Sequence, residues 1–108
     1  MPDLLPSQFA ILSRLAGLGF AIIAFPMYAN YVGIRRGDCA VLLAPEAAGF
    51  RIFGEPSWLL GGNLSVKIAD RGREFFVWKK SRVEATAERL SALADFSRAL
   101  ASVLAQSR

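Results

Sequence analysis

"LAGLGFAIIAFPMYANYVGIRR", Leu15 to Arg36, runs 20 residues without a charge and closes on two arginines. How it is read decides the fold. At a rise of about 1.5 Å per residue, about 20 helical residues span about 30 Å, the hydrocarbon thickness of a bilayer. The expectation is therefore a membrane-crossing helix from Ser7 to Ile34, with Ser7 after Pro6 as its N-cap. Arg14 would snorkel at one end, Tyr28 and Tyr31 would sit at the interface of the other, and Arg35 and Arg36 would follow directly. That arginine pair places the C-terminal part of the chain on the cytoplasmic side. Within the span, Gly17, Ala21 and Ala24 form a ridge of small residues open to a second helix. Pro26 and Asn30 leave polar groups that a protein neighbour must satisfy in lipid.

Two other readings compete. A buried helix or oligomer interface in a soluble domain needs more surrounding chain than the remaining residues readily supply. A cleaved signal peptide lacks support from "MPDLLPSQ", which has no basic start, and from Met27 and Ala29, which miss the small-residue cleavage rule.

The charge distribution divides the chain in the same place. Residues 35–108 hold 12 of the 13 Lys/Arg and 8 of the 9 Asp/Glu. Two parts are expected, an anchor over residues 1–36 and a small domain over residues 37–108. From Cys39 the period becomes strand-like: "CAVLLAP", "GFRIFGEP" and "SWLL" lead to the turn "GGN", and "NLSVKI" and "EFFVWKK" flank a hairpin turn at Gly72. "EATAERLSALADFSRALASVLAQ" reads as a helix with Thr86 as N-cap and an apolar stripe through Leu90, Leu93, Ser97, Leu100 and Leu104, widened by Phe96 and Val103. The fold class is α+β: a transmembrane helix, then a small antiparallel sheet packed with a C-terminal amphipathic helix.

Catalytic signatures are missing. The chain has no histidine and a single cysteine, Cys39, flanked by opposing charges at Arg36 and Asp38, which reads as a structural thiol. "GGN" lacks the Lys-Ser/Thr of a phosphate loop and precedes a strand. No enzyme activity, cofactor or metal is expected. Arg71, Arg73, Lys79, Lys80 and Arg82 form a basic run near Phe75, Phe76 and Trp78. Asp70, Glu74 and Glu84 interrupt it, so a solvated hairpin face, or contact with a partner protein or lipid headgroup, suits it better than nucleic acid. Trp58, between Pro56 and the "LL" pair, reads as core or as a partner anchor.

From "GFRIFGEPSWLLGGNLSVKI" through "EFFVWKKSRVEAT" into the final helix, the chain resembles small uncharacterised single-pass membrane proteins of cyanobacteria. The resemblance implies a photosynthetic or other bioenergetic membrane and an accessory or assembly role there. A second likeness is to small soluble α+β domains related to competence regulators. The resulting expectation is a non-enzymatic subunit of a larger membrane complex, with integral membrane proteins and the bilayer as partners. The alternative is a soluble α+β binding module with its N-terminal helix as core or oligomer interface.

Overall fold

In the computed structural model, which describes residues 2–106, the apolar stretch is divided among a helix end, two strands and a tight turn. Helix α1 (Pro6–Gly17) stops where the stretch has hardly begun. The cause is a Schellman ending: Gly19 takes φ +92°, its N–H donates to the Ala16 carbonyl, and the Phe20 N–H donates back to Leu15. Leu15 and Phe20 then bury together. Beyond them the β-branched residues favour extended chain. Strand β1 (Ala21–Ile23) pairs antiparallel with β2 (Val32–Arg36), setting Ile22 opposite Ile34, and the two are joined through a 3-10 turn at Pro26–Tyr28.

The membrane helix expected over Ser7 to Ile34 is therefore corrected: no helix among the described residues is long and apolar enough to cross a membrane. Its small-residue ridge goes with it. Gly17 ends α1, Ala21 begins β1, Ala24 and Asn30 lie in the connection, Pro26 opens the 3-10 turn, and all five are exposed. Nor does Ser7 cap α1. Its hydroxyl donates to the Ala48 carbonyl instead.

β2 continues into β3 (Cys39–Glu46), so the boundary expected after residue 36 falls inside a hairpin. Next come β4 (Gly49–Leu60) and the short β5 (Asn63–Leu64), completing a five-stranded antiparallel sheet in the order β1-β2-β3-β4-β5. Between the Ala40–Ser57 and Leu42–Phe53 pairs β4 carries extra residues, Gly54 to Pro56, with Gly54 at φ +75°. Such a bulge bends its strand. A second sheet of β6 (Val66–Asp70), β7 (Arg73–Trp78) and β8 (Ser81–Glu84) comes next, in that order. Helix α2 (Ala87–Gln106) closes the chain, with the Thr86 hydroxyl accepting the Arg89 N–H at 3.2 Å as its cap.

The α+β class, the antiparallel strands and the C-terminal helix agree with the sequence; the division into two sheets and the source of the core do not. Leu15, Phe20, Val32 and Ile34 from the supposed anchor pack with Val41, Leu43, Phe76, Phe96 and Leu100 in one cluster. On the other face of the first sheet, Phe25 folds over Ala40, Leu42 and Leu59, with Tyr28 and Tyr31 alongside. β3 is covered on both faces, which is why "CAVLLA" is apolar throughout rather than alternating.

A buried polar side chain, with exposed Ser7 beside it, ties α1 to this sheet. Gln8 is 3% exposed; its Oε1 accepts the Leu5 N–H at 2.8 Å, and its Nε2 donates to the carbonyls of Ala47 and Gly49 at the β3–β4 turn. The Leu5 bond is the reach-back half of a capping box. Replacing Gln8 by Leu strands these groups, and denaturant unfolding is expected to show a loss of about 1–2 kcal/mol.

Candidate functional site

The residues suited to chemistry stay apart. Among the described residues no group of three or more Asp, Glu, Cys or His is placed to hold a metal ion. Cys39 is buried against Val41 and Leu43; burial pushes its thiol up, Arg36 pulls it partly back, and Asp38 adds to the rise. A neutral, enclosed thiol is a poor nucleophile. Labelling by iodoacetamide at pH 8 is expected to run about tenfold or more below the rate in the unfolded chain. Because the folded thiol holds its proton more tightly, this group's contribution to stability is complete below the unfolded pKa and fades as pH rises through the folded one.

The basic run separates in space. Arg71 and Gly72 form the β6–β7 turn, Lys79 and Lys80 the β7–β8 turn, and at about 3.4 Å per residue β7 holds the two about 17 Å apart. Arg82 lies over the Phe75 ring, 3.7 Å from its centroid, and reaches Asp70 at 3.3 Å. Lys79 lies over Trp78. Arg73 is exposed beside the first turn. Trp58 is half-buried against the core, stacking on Phe76 at 6.2 Å and 18°, under Arg89. Of the residues assigned to a membrane interface, Tyr31 stacks on Phe53 at 4.4 Å, Tyr28 meets Tyr31 edge-on, and Arg36 covers Phe20. Arg35 donates to the Gly37 carbonyl, and Arg14 lies in the last turn of α1.

What the sequence reading missed is a groove. It lies where β4 and β6 diverge, with α2 along one side, and its volume is about 580 Å³. At the point of divergence the buried Ser65 hydroxyl donates to the Trp58 carbonyl at 2.6 Å. Phe76 and Leu93 supply apolar floor, Ala94 and Ser97 the helix wall, and Glu55 and Lys67 face in from the strands. Lys67 is held by Glu74 at 3.4 Å.

The groove arises from the hairpin's orientation. In β7 the bulky Phe76 turns inward, and its cross-strand partner Lys67 must share that face. Val66 and Ile68 consequently point outward, 64% and 40% exposed, beside Val77 and Phe75. The alternation was readable, but its direction depends on Phe76 and α2, which lie further along the chain. No family model matches the chain, and neither a curated protein nor a solved structure matches it.

Proposed function

We propose that this protein is a non-catalytic interaction module that holds part of a protein partner in the groove between β4, β6 and α2. The observation behind this reading is the groove itself, where apolar floor lies open between a strand edge and a helix, with a few polar groups at its rim. It keeps the binding-module alternative, with the N-terminal helix serving as core. An accessory or assembly role within a larger complex is compatible with such a module. The single-pass anchor that would have tied it to a bilayer is no part of this reading, since those residues form β1 and β2 and fill the core.

Ala94 offers a clean test because it is exposed yet lines the groove. Peptides selected by display against the full chain are expected to bind Ala94→Trp about tenfold or more weakly, as a filled groove requires. Ala101→Trp, on an exposed part of α2 outside the groove lining, should leave binding unchanged. Equal binding to all three proteins would remove the groove as the site.

A further inference from the structure

Given the groove as the binding site, on which this inference rests, the strand edge beside it decides how a partner lies there. β6 pairs with β7 along one edge, and among the described residues no strand pairs with the other. All five of its residues are exposed. That edge offers main-chain donors and acceptors beside the groove, with Glu55, Pro56 and Ser57 of β4 across from it. We infer that β6 receives an extended partner segment as an added antiparallel strand, acidic at its N-terminal end and apolar at alternate positions.

Strand addition sets the alternation. One set of partner side chains points into the groove toward Phe76, Leu93 and Ala94, so it is apolar. The other set lies beside Val66 and Ile68 on the outer face, where β-branched residues pair well with exposed apolar neighbours. Charge sets the direction. Residues 66–84 carry six Lys/Arg against three Asp/Glu, a net +3 of the chain's +4. Midway along the groove Lys67 is answered locally by Glu74, and Glu55 lines the same groove from β4. At the C-terminal end of β6, Arg71 and Arg73 are exposed, and neither forms a salt bridge among the described residues. An antiparallel strand brings its N-terminal end to these two arginines, and carboxylates there complement them.

A second copy of the chain serves less well as occupant. Pairing β6 with itself about Lys67 sets two lysines opposite each other, and pairing about Ala69 sets Lys67 opposite Arg71. Like charges directly opposite are destabilising. Pairing about Ile68 avoids that clash but sets Asp70 opposite Val66 and leaves both arginine turns without a counter-charge.

The test uses the full chain and two display libraries of nine-residue peptides. One opens with two glutamates followed by alternating apolar and threonine positions; the other opens with two lysines and is otherwise identical. The glutamate library alone is expected to be enriched, and its best binder should slow amide exchange across residues 66–70 about tenfold or more. Arg71→Glu with Arg73→Glu, both exposed positions, should transfer the enrichment to the lysine library. Enriched peptides that shift Leu93 and Ala94 signals without slowing β6 exchange would overturn strand addition and leave the groove as the binding site. Equal enrichment of both libraries would overturn the acidic partner. Concentration-dependent protection of β6 in the chain alone would replace the partner with a second copy, and no enrichment from either library would overturn the inference outright.

Discussion

Phe96→Ala is expected to lower the free energy of unfolding by about 3–5 kcal/mol, the usual cost of emptying a fully buried aromatic position. Phe96 is 1% exposed on the inner side of α2, and its ring lies 5.7 Å from that of Phe20, tilted at 57°. The pair joins the apolar N-terminal stretch to the C-terminal helix across nearly the whole chain. A double-mutant cycle with Phe20→Ala is accordingly expected to give a coupling of about 0.5–1.5 kcal/mol in denaturant unfolding. Additive losses would mean that the two segments do not share a core.

Gly33→Ala is the second substitution with a large expected effect. A Cβ at Gly33 would stand 2.6 Å from the Ile23 carbonyl oxygen and 2.7 Å from the Phe25 ring. Phe25 lies over Ala40, Leu42 and Leu59, so this glycine is what lets the ring cover the outer face of the sheet. Overpacking of this kind costs about 1–3 kcal/mol, and the backbone oxygen, which cannot step aside as a side chain can, puts the loss toward the upper end. Phe25→Leu added to Gly33→Ala should recover part of it, because a smaller side chain removes the ring contacts and leaves only the carbonyl. Thermal unfolding of the single and double variants reads both effects. In a helix the same change would be favourable, since alanine is the better helix former. Its sign therefore separates the two readings of the stretch.

The signals for the true ending of α1 were present in "LAGLGF". Gly19 followed by apolar Phe20 is the pattern of a glycine stop with its hydrophobic contact back to Leu15. The absence of charge over 20 residues points toward a membrane helix instead, although a strand buried on both faces is equally uncharged. Val32, Ile34 and the run from Cys39 to Ala44 are of that kind: apolar because they are covered from two sides, not because they meet lipid. The C-terminal half was easier to read. The "DRGR" turn and the stripe on α2 are local features, and the structure has the β6–β7 hairpin and α2 where they indicate. Gln8 was not legible, because its partners at Ala47 and Gly49 lie about 40 residues on. The groove was invisible for a related reason. It arises where two strands part, and a parting of strands has no residue signature of its own.

The measurement that bears most directly on this account is a map of short proton–proton contacts within residues 15–36 of the labelled full-length chain. Cross-strand contacts between Ile22 and Ile34, and between Ile34 and Val41, are the predicted result, since these pairs face each other in the sheet. An unbroken series of contacts between each residue and the third one after it, from Leu15 to Ile34, would contradict it. The stretch would then be a helix, and both the shared core and the groove built on it would have to be given up.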